Sequence, residues 1–328
     1  MSKAKEFFRK NTMLLALAFI MVLFQILIVG QGKGSLFAPT NISNLISQNS
    51  YVVILATGML LCILTGGNID LSVGSVVALV GAIAGTLIVN LKVNIYLSIL
   101  ICLLAGTLIG AWQAFWIAYM RIPPFIVTLA GMLTFRGVAL ILLNGLTISP
   151  FPSEYTRYFN SYIPSNGGSV QTVALAVGAL VCAVFIGLQL SSRLSKMRKG
   201  YTVEALPWLL AKLAGVSAVL MYAFWLLGRD KGIPVILILL AVVVLAYNYL
   251  TSCTVPGRYL YAMGGNEKAA RLSGINTNRT LFFAYTNMGF LSAVAALVAV
   301  ARFNSAAPSA GTNYEMDAIA SCYIGGAS

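Results

Sequence analysis

Histidine is absent from this sequence and charge is scarce: 21 basic and 8 acidic residues among 328, or 9% of the chain. A soluble domain carries roughly 25% charged residues, so this chain has too few to cover a water-facing surface. Without histidine there is no Ser-His-Asp triad, no Cys-His nucleophile and no His-ligated metal. Eight carboxylates with no clustered acid pair leave little for a membrane enzyme to use, and the chain is not expected to be an enzyme. The five cysteines (Cys62, Cys102, Cys182, Cys253 and Cys322) are odd in number, widely spaced and mostly inside apolar runs. That excludes a disulfide framework or zinc site and reads as small buried apolar side chains. No Gly-x-x-x-x-Gly-Lys-[Ser/Thr] phosphate loop is present, so the chain does not hydrolyse ATP itself. No metal or cofactor is indicated.

What the chain has is apolar sequence, 59% of it, in long runs. A spanning helix needs about 20 such residues, and the runs predict an all-α, polytopic membrane protein of about ten segments. The first helix is expected from about Met13 to Gly30, retained behind a basic anchor (Lys3, Lys5, Arg9, Lys10) rather than cleaved as a signal. The next is expected from about Ile42 to Leu64, followed by a broken or re-entrant region at 66–72 and a helix from Val73 to about Asn90. Further helices are expected at about Ile95–Tyr119, Phe125–Asn144, Val170–Leu190, Leu206–Leu227, Ile233–Leu250 and Thr280–Ala301, with a last apolar segment from about Met316. Pro123 and Pro124 break the chain. Residues 147–168 read as an exposed loop, Arg193–Glu204 as a basic linker and 253–279 as a long polar connection within one transmembrane domain, 1–328.

With the N-terminus placed inside and the segments alternating, thirteen Lys and Arg fall on the inner side and six on the outer, with Arg136 and Lys212 inside helices. The positive-inside rule supports this orientation. The net charge of +13 therefore reports topology, with some attraction to anionic membrane lipid, and not a nucleic-acid partner.

A few polar groups lie where apolar surroundings make them costly. Asp70 follows the Gly66-Gly67 break. It reads either as a cap for the helix starting at Val73, with Ser72 helping, or as a residue of a translocation path or gate, with Asn68 and Ser72 beside it. Arg136, in the middle of an apolar helix, is expected to pair with a carboxylate or with carbonyls inside the bundle, and it is also a path candidate. Asn68–Leu71 loosely echoes Glu315–Ala318, which brings in Asp317. Small residues such as Gly74, Ala78 and Gly110 read as close-packing positions.

The connection 257–276 carries the most specific pattern. Asn266 is a good N-cap, Glu267–Leu272 are helix formers, and Gly274 suits the position just past a helix end. A short polar helix lying across the membrane face follows, either a lipid-surface element or a docking element for a soluble partner.

These pieces together resemble the permease subunit of bacterial ABC-type sugar importers. The residues that carry the resemblance are Gly-Gly-Asn-Ile-Asp-Leu-Ser-Val-Gly-Ser (66–75), the loop 257–276, and the segment 309–320 with Gly325-Gly326. The run from Pro123 to Gly137 is closest to the xylose or multiple-monosaccharide branch. The resemblance implies a homodimeric or pseudo-symmetric pore, an extracytoplasmic sugar-binding protein that delivers a monosaccharide, and a separate cytoplasmic ATPase subunit. It implies docking to that ATPase through Gly264, Gly265, Asn266, Glu267, Ala270, Arg271, Gly274 and Asn276. It also implies about two further helices, so the chain is expected to be truncated at its C-terminus. An ion-coupled secondary transporter, for which Asp70 and Asp317 are the available acids, and a non-transporting membrane scaffold are the competing classes.

Overall fold

The computed structural model describes residues 12–32, 34–163, 170–201 and 206–327. The basic anchor (Lys3, Lys5, Arg9, Lys10), Lys33, the end of the expected 147–168 loop and the end of the expected basic linker, Glu204 included, lie outside the described residues. The protein is almost wholly helical: α1 Thr12–Gly30, α2 Pro39–Gln48, α3 Ser50–Ile63, α4 Val73–Gly85 (continued by a π-helical turn, Thr86–Asn90), α5 Ile95–Ala118, α6 Pro124–Leu142, α7 Ser153–Asn160, α8 Val170–Arg198, α9 Leu206–Arg229, α10 Val235–Cys253, α11 Val255–Gly265, α12 Glu267–Leu272, α13 Thr277–Phe303 and α14 Tyr314–Ile324. Two-residue strands β1 (Tyr162–Ile163) and β2 (Ile233–Pro234) pair antiparallel, Tyr162 opposite Pro234 and Ile163 opposite Ile233.

Among the described residues, seven helices are long and apolar enough to cross a membrane, or eight if the broken pair α2–α3 counts as one span. That count of the described residues is slightly below the expected ten. The last apolar segment folds as α14, 11 residues long, and at 1.5 Å per residue that covers only about half of a bilayer core. The expected continuous helix Ile42–Leu64 is interrupted at Asn49, within the polar run Ser47-Gln48-Asn49-Ser50. The Ser50 hydroxyl donates to the Ser47 carbonyl there (2.9 Å). The expected 147–168 loop contains α7, which is held by one buried side chain: the Tyr155 hydroxyl donates to the Leu297 carbonyl at 2.8 Å. The expected linker from Arg193 is helical to Arg198, as the C-terminal extension of α8. Its leucine, lysine, methionine and two arginines are good helix formers.

The chain forms two compact units, residues 1–46 with 162–235 and residues 47–161 with 236–328. In the first, α8 and α9 pack on each other, and Gly178 sits against the Phe224 ring. In the second, α13 is the central helix, packed on α3, α4 and α5. Nearly every residue of α4 is buried, and so is most of α13 from Leu281 to Ala301. Helices apolar on all sides are those buried in a large core or in lipid. Small side chains on facing helices let these backbones meet. Gly106 and Gly110 of α5 face Gly289 of α13 so closely that a Cβ on Gly289 would stand 2.4 Å from the Gly106 carbonyl oxygen and 2.6 Å from Gly110 Cα.

Candidate functional site

Three polar segments of the second unit hold the candidate residues. The first is α11–α12. Thr254 caps α11, its hydroxyl accepting from Gly257 N–H, with a proline in the first turn. The backbone then extends at Asn266 (φ −163°), whose side chain caps α12 by accepting from Ala269 N–H at 3.0 Å. Gly274 turns the chain back at φ +86°, a left-handed conformation that glycine adopts without Cβ strain. Asn276 then caps α13, accepting from Arg279 N–H at 3.0 Å. Ala270 is buried against the rest of the unit, with Leu260 and Met263 of α11. Gly264 lies against the end of the α3 segment, where a Cβ would meet the Leu64 carbonyl oxygen at 2.4 Å. Gly265, Glu267, Lys268 and Arg271 are exposed, and Leu272 is 90% exposed. An aliphatic side chain so bare on a six-residue helix is unusual in an otherwise polar surface.

Glu267 has an internal partner that sequence reading missed. Arg121, in the α5–α6 connection, donates through Nη1 to Glu267 Oε1 at 2.8 Å. Through Nη2 it donates to Thr277 Oγ1 at 3.2 Å and to Asn278 Oδ1. The available signal was an arginine at the end of an apolar helix, directly before Ile122-Pro123-Pro124.

The second segment is the break between α3 and α4, where Gly66 and Gly67 take φ of +109° and +77°. Asn68 turns inward on the break, its amide donating to Thr65 O (3.2 Å) and Oγ1 (3.0 Å). Asp70 is buried, 2% exposed. One of its oxygens, Oδ1, accepts from both the Ser72 N–H (2.8 Å) and the Ser72 hydroxyl (2.6 Å). Ser72 in turn accepts from the Gln113 amide of α5 at 2.8 Å. The N-cap residue of α4 is Ser72 itself, which makes no side-chain cap bond. Asp70 therefore closes an Asx turn that leads into the helix rather than capping its first turn directly. Gln113 was also missed. Its signal is a lone amide in a 24-residue apolar helix.

The third segment joins α13 to α14. Arg136 Nη1 donates to the carbonyls of Pro308 (2.9 Å) and Ala310, so its hydrogen bonds go to backbone. Gly311, at φ +70°, abuts Gly74 of α4, and a Cβ on either would reach the other's carbonyl oxygen at 2.1–2.2 Å. Glu315 is buried there at 8% exposure, its Oε2 beside Gly74. Gly74 and Gly311 lie just outside the echoing stretches Asn68–Leu71 and Glu315–Ala318, and the contact brings the start of α4 against the α13–α14 connection. Asp317 is elsewhere: it is exposed and accepts from the Tyr51 hydroxyl at 3.0 Å, and the Tyr51 ring stacks on Tyr314.

A glycine break between two helices, a buried carboxylate–serine–amide cluster and a capped six-residue helix thus sit among long apolar spans, the architecture of a polytopic membrane protein. Residues 41–328 match the family described as branched-chain amino acid transport system / permease component, and the chain belongs to that family. The xylose transport system permease protein XylH of Escherichia coli (strain K12) is 37% identical over 295 residues, covering 90% of this chain and 73% of that protein. XylH of Haemophilus influenzae is 37% identical over 316 residues, covering 96% of this chain and 81% of that protein. The ribose import permease protein RbsC of Escherichia coli (strain K12) is 33% identical over 324 residues, 99% of this chain and 81% of that protein. No solved structure matches the chain.

Proposed function

We propose that this chain is the membrane permease subunit of an ATP-binding-cassette importer that carries a monosaccharide, xylose or a related sugar, across a bacterial cytoplasmic membrane. The observation that carries the reading is the capped helix α12, which presents Lys268, Arg271 and Leu272 outward from a rigid frame. The charge asymmetry of the loops supports a cytoplasmic side for this helix and the N-terminus. There α12 meets a separate ATPase subunit, with Asn266 and Gly274 shaping it and Gly264, Gly265 and Asn276 setting its approach. Two copies of the chain enclose the path, and an extracytoplasmic binding protein supplies the sugar. Movement of the ATPase tilts α12, and the tilt reaches the broken helices at Asp70 and Arg136 as a rigid-body change. The relatives named for xylose and ribose transport support the sugar class.

Reconstitution into vesicles with the ATPase subunit and a sugar-binding protein tests this. Uptake should require ATP on the α12 side, whereas uptake driven by an ion gradient alone would make the chain a secondary transporter. Arg271→Glu and Leu272→Asp are expected to lower uptake at least tenfold and to release the ATPase on co-purification, with the yield of folded permease unchanged. If both variants still hold the ATPase and transport normally, α12 is not the docking element.

A further inference from the structure

We propose that Arg121 is a positioning residue that locks α12 to α13, so that displacement of α12 is delivered to the central helix and not lost in the connection between them. The inference rests on the importer reading above. The six-residue α12 is far shorter than a helix that holds itself together in water. Its covalent route to α13 is Ser273–Asn276, which contains Gly274 at φ +86°, the kind of joint that bends when pushed. The Arg121 guanidinium spans this joint. One arm holds Glu267 in the first turn of α12, and the other holds Thr277 and Asn278 in the first turn of α13.

Two further observations give this bridge a mechanical meaning. Arg121 has a left-handed backbone, φ +57°, which a non-glycine residue keeps only when its surroundings impose it. The connection is also closed by Ile122 N–H bonding to the Trp116 carbonyl at 3.2 Å. Arg121 is therefore presented from the end of α5, the helix that meets α13 through the Gly106–Gly110–Gly289 contact. Beyond this clamp, α13 runs unbroken for 27 residues, about 40 Å at 1.5 Å per residue. Its far part supports the Tyr155 and Asn160 hydrogen bonds to the carbonyls of Leu297 and Ala301. A half-exposed ion pair adds little to stability, so the geometry assigns Arg121 a role in transmission and not in folding. A planar guanidinium fork suits three acceptors on two helices in a way that an ammonium does not.

The test uses the reconstituted complex of permease, ATPase and binding protein, with Arg121→Ala, Arg121→Lys, and the exchange Arg121→Glu with Glu267→Arg. Arg121→Ala is expected to keep wild-type yield and wild-type ATPase co-purification while sugar moved per ATP hydrolysed falls at least fivefold. The exchange should recover part of that loss by restoring the ion pair, and Arg121→Lys should recover less than full coupling. In a Cys253→Ser background, spin labels at Lys268→Cys and Arg279→Cys should give one narrow distance in the wild type and a broadened distribution in Arg121→Ala. A wild-type sugar-to-ATP ratio in Arg121→Ala, loss of the ATPase on purification, or uptake that falls only in proportion to yield would each overturn the inference. If the unmutated complex shows no ATP-dependent uptake, the importer reading fails first and takes the transmission role with it. The spin-label distances still report separately whether Arg121 holds the joint.

Discussion

Replacing Gly289 with leucine is expected to remove most of the folded protein. Gly289 lies in α13 opposite Gly106 and Gly110 of α5, and a Cβ there would stand 2.4–2.7 Å from the Gly106 carbonyl oxygen and the Gly110 Cα and N. All three atoms are backbone, so no side-chain rotation relieves the clash. Overpacking a core costs about 1–3 kcal/mol, and with backbone on the opposing side the upper end applies. About 3 kcal/mol is roughly a hundredfold in the folded-to-unfolded ratio of a marginally stable protein, and the leucine atoms beyond Cβ add to the clash. The loss should appear as collapse of the monodisperse peak in size-exclusion chromatography after mild detergent extraction. Gly187 of α8 has open space where its Cβ would stand, so Gly187→Ala should leave that peak unchanged. Wild-type yield for Gly289→Leu would mean that α5 and α13 do not approach as described.

Asp70→Ala should have the second largest effect, and comparison with Asp70→Asn separates shape from charge. Alanine removes the acceptor of two hydrogen bonds at a site 2% exposed. The Ser72 N–H is then left without its side-chain partner in a buried site, at a cost of about 2 kcal/mol, roughly thirtyfold in the folded-to-unfolded ratio. Asparagine offers an amide oxygen in the same place, because a single carboxylate oxygen accepts both bonds. It forgoes only the attraction between a negative charge and the start of α4, about 0.3–1 kcal/mol. Asp70→Asn should therefore extract with near-normal yield, and transport can then be assayed cleanly. Normal yield with normal uptake makes Asp70 a structural anchor of the break, whereas normal yield with lost uptake makes its charge part of the gate. Low yield for Asp70→Asn would show that the charge itself holds α4 in place.

Part of this architecture is written locally. The cap at Asn266 and the turn at Gly274 form where the residue types predict, since each closes within a few residues along the chain; the equally local cap at Asn276 starts α13 at Thr277, three residues before the expected Thr280. The interruption at Asn49 had a local sign as well, four consecutive polar residues, but the apolar character on either side hides it when a span is read as one window. Helix α7 had a weaker sign: it depends on Tyr155 reaching Leu297, 142 residues away.

The sequence by itself determined that this is an all-α, polytopic membrane protein. It also located the broken region before α4 and the capped surface helix, because hydrophobic run length, charge bias and capping chemistry act over short distances. Only the tertiary structure decided that Arg121 and Glu267 pair across 146 positions, that Gln113 completes the Asp70–Ser72 cluster, that Arg136 holds the carbonyls of the α13–α14 connection, and that Gly74 meets Gly311. A side chain's type sets what it can bond. Which distant partner it finds is decided by where packed helices bring it, and that placement comes from close contact between small residues such as Gly74 and Gly110, which the sequence marks as packing positions without naming the Gly311 and Gly289 they meet.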